Sequence, residues 1–255
     1  MNFGHWYYRE YFDTINLDSK GIVTNFSTFN KGKNDKLIKG ATLPPYDKEN
    51  DIKDVTGFEL KTCYPGLLCG VGYHHEINKP ADEKGKKVEG DKEDDAPEVY
   101  NLGMYFDYTS GLPVIPGSSI KGMLRSAIEE WDFLADYKPN NGVTREEIIK
   151  TVFEGKGLSI YDRDIFLDAI PIKADNKLFG EDYITHHPTP LQNPNPVRFL
   201  RVNPGVTYQF RFILRNNDNG LKADFKEDLF KAIICTFGLG AKTNVGYGQF
   251  VEPEK

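Results

Sequence analysis

A mixed α+β domain built on one antiparallel sheet with two helices is the architecture that the sequence predicts, and three observations predict it. Residues 206–214 alternate strictly, with Val206, Tyr208, Phe210, Phe212 and Leu214 on one side and Thr207, Gln209 and Arg211 on the other, the pattern of a half-buried strand. Two stretches, 120–131 and 224–237, carry apolar side chains at helical spacing: Ile120, Leu124, Ala127, Ile128 and Trp131 in the first, Phe225, Leu229, Ile233 and Phe237 in the second. Shorter β-type runs at 2–12, 165–171 and 246–251 interleave with these, so the order along the chain reads β-α-β-β-α-β. That is the order of a ferredoxin-like or RRM-like sheet with both helices on one face.

Each element has a local reason. The aromatic start MNFGHWYYREYFD supplies the first strand, and Arg9, Glu10 and Asp13 interrupt it before a signal-peptide core develops. No later apolar run reaches bilayer-spanning length, which places the protein in the cytoplasm with no membrane partner. A further strand is expected at 99–107. The first helix opens at Pro116, Gly117, Ser118 and Ser119, where a serine hydroxyl is expected to cap it. Residues 144–153 start on the capping box of Thr144 and Glu147 and stop before Gly155. IFLDAIP at 165–171 is a strand, and VRFLRV at 197–202 is expected to turn through Asn203, Pro204 and Gly205 into the 206–214 strand as a hairpin. Asp224, with Glu227 in the reciprocal position, is expected to cap the second helix.

The chain 1–255 reads as a single domain carrying two long insertions, 13–118 and the Pro-rich 173–196, the latter an arm of a length to reach a neighbour. Within the first, residues 76–98 hold nine acidic and five lysine side chains and almost no large apolar ones, so this segment is expected to be a disordered acidic insert. It accounts for most of the net charge of −6; outside it the chain is near neutral, which is compatible with a local basic groove for a polyanion. Three cysteines, Cys63, Cys69 and Cys235, form no CxxC pair, so neither a disulfide framework nor a zinc site is indicated, and no cofactor is expected.

Two stretches point to phosphate. At 111–131, GLPVIPGSSIKGMLRSAIEEW, an extended run passes directly into a helix whose start offers backbone N–H groups, the hydroxyls of Ser118 and Ser119, and the cations Lys121 and Arg125 one turn apart. The alternative is that the serines serve capping alone and Arg125 pairs with Glu129. At 238–250, GLGAKTNVGYGQF, the glycines Gly238, Gly240, Gly246 and Gly248 bracket Lys242, Thr243 and Asn244, letting a backbone with positive φ approach a ligand closely beside a charge and an amide. This is no nucleotide loop. A Walker A sequence needs glycine where Ala241 and Thr236 stand, and a Rossmann fingerprint needs one where Thr243 stands.

Together the helix start and the glycine loop resemble the RAMP (repeat-associated mysterious protein) superfamily of CRISPR effector subunits. Within it, AKTNVGYG, IFLDAIP, PNPVRFLRVNPGVTYQF and FGHWYYREYF are most similar to the type III-B (Cmr) subunit at the crRNA 3′-end side. The resemblance implies an RRM-like fold that binds crRNA, and the guide/target RNA duplex, by its backbone without sequence specificity or catalysis. It implies packing against other subunits of the Cmr effector in antiviral defence. It agrees with the two phosphate-directed stretches, whose expected RNA-binding residues are Gly117, Ser118, Ser119, Lys121, Arg125, Gly240, Lys242, Thr243, Asn244 and Gly246, with no metal. Some relatives cut RNA, either with histidine or with an early-loop aspartate and a metal. The second reading is therefore a metal-dependent endoribonuclease using Asp13 or Asp18. The pairs His74-His75 and His186-His187 point to opposite sides of an extended chain and make no proton-transfer site by themselves. His5 is expected in an aromatic core or interface. Asp168, within an apolar strand, is expected to be held by a structural hydrogen bond.

Overall fold

Two strands far apart in sequence form the centre of the structure: β1 (Thr56–Thr62) pairs antiparallel with β6 (Val206–Ile213), Thr56 opposite Phe212 and Lys61 opposite Thr207. The computed structural model describes residues 1–20, 23–25, 32–47, 52–71, 100, 102–137, 142–186, 195–217 and 220–254. On the far side of β6 lie β2 (Ile165–Phe166) and β3 (Ile170–Ala174), and on the far side of β1 lies β7 (Phe250–Val251), every pairing antiparallel. The helix α3 (Gly117–Glu129) connects β1 to β2, and α6 (Ala223–Phe237) connects β6 to β7. Each crossover therefore skips over the central strand of the other, which is the interleaved split βαβ of a ferredoxin-like sheet.

The alternation read in the sequence places Tyr208, Phe210 and Phe212 on the helix side of the sheet. Phe210 stacks on Phe58 at 5.4 Å and meets Phe250 at 5.6 Å. Phe212 meets Phe230 of α6 at 5.4 Å, and Phe166 meets Phe230 at 5.5 Å. Ile120, Leu124, Ala127 and Ile128 of α3 are buried as the periodicity requires. Trp131 is not: α3 stops at Glu129, Asp132 takes a left-handed φ of 48° ahead of the short helix α4 (Phe133–Asp136), and Trp131, 67% exposed, lies beside Phe237 at 6.0 Å.

Five expectations are corrected. Residues 2–12 form no strand. Asn2 accepts the His5 amide and opens a short helix, α1 (Phe3–Tyr8), followed by one 3-10 turn, because the buried Phe3, Trp6, Tyr7 and Tyr11 recur at helical, not alternating, spacing. The first core strand is instead β1. Residues 102–107 hold no ladder beyond a single bridge from Leu102 to Phe199; Asn101 and residue 99 lie outside the described residues. The 197–202 run does not pair with β6: as β5 (Asn195–Val202) it pairs with β4 (Phe179–His186), Phe179 opposite Val202. Asn203 and Gly205 are bound to the end of β1 instead, through Thr62 Oγ1 to Asn203 O at 2.8 Å and Gly205 N to Thr62 O at 2.9 Å. Asp224 does not cap α6; Asn216 Oδ1 accepts the Ala223 amide at 2.9 Å. Nor does a serine cap α3, as described below. The capping box of Thr144 and Glu147 is present, opening α5 (Arg145–Ile148), which continues in wider π-type turns to Glu154 and ends at Gly155.

The chain divides into two compact units. One comprises residues 1–42, 70–113 and 177–202 and contains α1, α2 (Lys33–Gly40) and the β4–β5 hairpin around an aromatic core in which Tyr7 meets Phe106 at 5.3 Å and Phe3 meets Phe179 at 5.6 Å. There Arg198 and Tyr100 both bind the Glu181 carboxylate, and burial, then the Glu181 hydrogen bond, push the Tyr100 phenol up. The other comprises residues 43–69, 114–176 and 203–255 and is the ferredoxin-like unit. The expected acidic insert at 76–98 lies outside the described residues, as does 187–194 of the Pro-rich segment, whose flanks are the β3 end and the two strands of the hairpin.

The ferredoxin-like unit is pinned at one point by a buried ion pair. Lys226 Nζ of α6 lies 2.6 Å from Asp164 Oδ2, their side chains 1% and 2% exposed, and also donates to Arg215 O and Asn217 Oδ1. Burial pulls the Lys226 ammonium below its ordinary range, which the Asp164 hydrogen bond opposes. Asp164→Ala leaves that ammonium uncompensated and is expected to lower stability by about 3–5 kcal/mol, whereas Asp164→Leu combined with Lys226→Met recovers most of the loss. Guanidinium unfolding of the three proteins checks both statements; equal stabilities of the single and double variants would contradict them.

Candidate nucleic-acid interface

The glycine loop is a tight structure hung on the exit of β1. Beyond Thr62 the chain runs Cys63, Tyr64, Pro65 and Gly66, and Cys63 N–H donates to Gln249 O at 2.9 Å. Gly248 N–H donates to Gly66 O at 2.7 Å and Ala241 N–H to Leu68 O at 2.8 Å, so residues 239–249 lie along 63–68. Within the loop, Lys242 O accepts from Val245 and Tyr247, and Leu239 N–H donates to Gly248 O at 2.8 Å. Positive φ is needed as expected: 73° at Gly238, 96° at Gly240, 97° at Gly246 and 70° at Gly248. Lys242 is also left-handed at 62°, which turns the tip so that Lys242, Asn244 and Val245 face solvent while Tyr247 is buried beneath them. Thr243 is half-buried and opens a 3-10 turn through Val245.

The two glycines flanking the tip differ in a way that can be measured. A Cβ at Gly240 would stand 2.3 Å from Leu68 O, whereas one at Gly246 would meet only Pro65 Cδ at 3.5 Å. Gly246→Ala therefore carries the left-handed penalty alone, about 1–2 kcal/mol, and Gly240→Ala carries that plus a backbone clash. Thermal unfolding is expected to rank Gly240→Ala below Gly246→Ala; the reverse ranking would contradict this loop geometry.

The helix start is arranged differently from the expectation. Pro116, not a serine, occupies the N-cap position, and no side chain of its own caps α3. Asp168, between β2 and β3, does so across the unit: Gly117 N–H donates to Asp168 Oδ1 at 2.8 Å. The chains are this close because Gly117 has no side chain; a Cβ there would stand 2.1 Å from Phe166 O. Ser119 and Ile120 donate their amides to Pro116 O. The helix dipole therefore already faces a carboxylate, and a second anion placed at the same amides would be repelled by it. Ser118 and Ser119 remain exposed. Lys121 Nζ sits 5.5 Å from the Phe166 ring centroid. Arg125 is shared between Glu129 at 2.7 Å and Glu154 at 3.5 Å; the Glu129 hydrogen bond holds the guanidinium above, and the carboxylate below, its ordinary range. The pairing weighed in the sequence is thus the observed one.

Both stretches belong to the ferredoxin-like unit and adjoin one intervening segment. Leu68 receives the loop through Ala241, and Cys69 Sγ lies 3.6 Å from Val114 O, two residues before the N-cap of α3; Ile115 then pairs with Ala169. Sequence reasoning missed that intermediary, although its Pro65-Gly66 and Cys69-Gly70 steps mark it as a shaped backbone.

The candidate nuclease residues sit in the other unit and follow a helix. Asp13 is paired with Lys33, and Asp18 Oδ1 accepts the Lys20 amide at 2.9 Å. His5, expected in an aromatic core or interface, is not in the core: its side chain is 62% exposed and lies 3.3 Å from Glu10. His74, His75 and His187 lie outside the described residues. Among the described residues no group of three or more His, Cys, Asp and Glu side chains is placed to hold a metal, and no helix is long and apolar enough to cross a membrane.

Most of the five-stranded sheet and all of the glycine loop fall within what comparison recognises: the RAMP superfamily profile matches residues 59–251, from within β1 to the end of β7. The chain belongs to the RAMP superfamily. The CRISPR system CMR subunit Cmr6 of Saccharolobus solfataricus is 31% identical over 157 residues, 60% of this chain and 49% of that protein. The CRISPR system Cms endoribonuclease Csm3 of Enterococcus italicus is 30% identical over 130 residues, 47% of this chain and 61% of that protein. This RAMP chain thus matches about half to three-fifths of these relatives' lengths. A solved structure, the type III-B Cmr-β complex bound to cognate target RNA, contains a chain similar at a TM-score of 0.53 and 26% identity over 78% of this RAMP protein and 58% of that chain.

Proposed function

We propose that this protein is a non-catalytic RNA-binding subunit of a cytoplasmic type III-B CRISPR (Cmr) effector, holding crRNA and its duplex with target by the sugar–phosphate backbone beside other subunits of the complex. The observation that carries the reading is the glycine loop: positive φ at Gly240, Lys242 and Gly246 turns a tip that is tied to the exit of β1 and presents Lys242 and Asn244 to solvent. The similarities to Cmr6 and to a chain of an RNA-bound Cmr-β complex support the same reading. Contacts of this kind position an RNA without reading it, which suits a subunit serving variable guides.

The residues contribute unequally. Lys242, Thr243 and Asn244 make the principal contacts, with Gly240 and Gly246 shaping them. At the helix start Ser118, Ser119 and Lys121 reach phosphate by side chain. Gly117 serves by close packing, since its amide is committed to Asp168, and the charge of Arg125 is largely met by Glu129 and Glu154.

Lys242→Ala and Lys121→Ala are expected to weaken binding of unrelated single-stranded RNAs alike, each flattening the log–log salt dependence by about 0.7, and Arg125→Ala by less. Filter binding across salt concentrations reads this; a loss confined to particular sequences would contradict backbone recognition.

A second reading, the metal-dependent endoribonuclease with Asp13 or Asp18 as the cutting residue, takes its support from the likeness to Csm3. Against it, both aspartates precede β1, and Asp13 is engaged by Lys33. Labelled target RNA incubated with the assembled complex and magnesium or manganese separates the two. Cleavage abolished by Asp13→Ala or Asp18→Ala would install the nuclease reading.

A further inference from the structure

We infer that Tyr64 is a stacking platform for an RNA base, set beside the loop that takes the backbone; the inference rests on the reading of that loop as an RNA site and adds a second mode of contact to it. The ring is 83% exposed, yet the chain that carries it is fixed on both sides. Cys63 is hydrogen-bonded to Gln249 and Gly66 to Gly248, at 2.9 and 2.7 Å. Pro65, the next residue, lies against Gly246, 3.5 Å from where a Cβ would be.

One exposed aromatic on a surface means little. This one is not isolated: the same hydrogen-bonded pair of segments also exposes Lys242, Asn244 and Val245, the last 68% exposed. A flat ring on a hydrogen-bonded stem and a cation on the segment paired with it are parts from which single-strand sites are built, a base lying on the ring while a phosphate meets the cation. Stacking tolerates every base because every base has a π-face, so it is compatible with a guide of any sequence. A protein neighbour would be the other class of occupant. The exposed cation and amide of Lys242 and Asn244 on the paired segment favour nucleic acid over an apolar protein contact.

The test uses the full chain, alone and within the assembled effector, with single-stranded RNAs carrying 2-aminopurine at successive positions. Tyr64→Ala is expected to weaken binding about ten-fold or more for every sequence, without altering the salt slope, and to abolish the quenching of at least one 2-aminopurine. Tyr64→Trp is expected to restore both. Lys242→Ala, in contrast, flattens the salt slope. Because the ring is exposed, unchanged melting of Tyr64→Ala excludes a folding defect as the cause. If Tyr64→Ala binds and quenches as the parent does while Lys242→Ala is impaired, the stacking inference falls and the backbone reading stands. If neither variant is impaired, both fall. If Tyr64→Ala assembles poorly with the other subunits at unchanged RNA affinity, the ring meets protein and the inference is overturned.

Discussion

The pairing of β1 with β6 is the constraint on which the rest of the ferredoxin-like unit depends. These strands lie some 150 positions apart, and their register sets Phe58 on Phe210, which in turn gives Phe250 and the α6 side chains their surface. Because each crossover must pass the other's central strand, fixing this one pair also fixes which edge receives β2 and β3 and which receives β7. The exit of β1 then becomes the place where the last connection of the unit is tied down, and the glycine loop inherits its shape from that tie.

Charge distinguishes the helix start from the glycine loop. The overall balance is acidic, and around α3 acidic groups answer the basic ones locally: Asp168 for the helix end, Glu129 and Glu154 for Arg125. Exposed ion pairs of this sort contribute little to stability, but they lower the field available to an approaching phosphate. At the loop, Lys242 stands exposed at the tip on glycine-bracketed backbone.

Much of this was legible in the sequence where a pattern is local. The strict alternation of 206–214, the helical stripes of α3 and α6, the capping box at Thr144 and the positive φ of the glycines are all dictated by neighbouring residues. What misled was the aromatic start, rich in residues that favour strands: tertiary burial at helical spacing overrode that preference. The true first strand, TGFELKT, is short and carries Glu59 and Lys61, a weak signal on its own that only its partner makes plain. The hairpin expected at Asn203 failed for a related reason. Pro204 and Gly205 do form a turn, but a turn does not say which strands it serves, and the distant Thr62 binds it. The carboxylate at the helix start was likewise invisible, since Asp168 reaches Gly117 across 51 positions of chain.

The division of the chain carries a consequence for how the molecule comes into being. The aromatic unit is stitched from three stretches, 1–42, 70–113 and 177–202, that alternate with those of its companion. As the polypeptide leaves the ribosome, its opening helix must wait for Val202 to emerge before the β4–β5 ribbon closes over it, so neither unit can be completed or inherited as a contiguous cassette. Removing α1, Phe106 or the β4–β5 ribbon would take away a wall of a second core, not trim a loop.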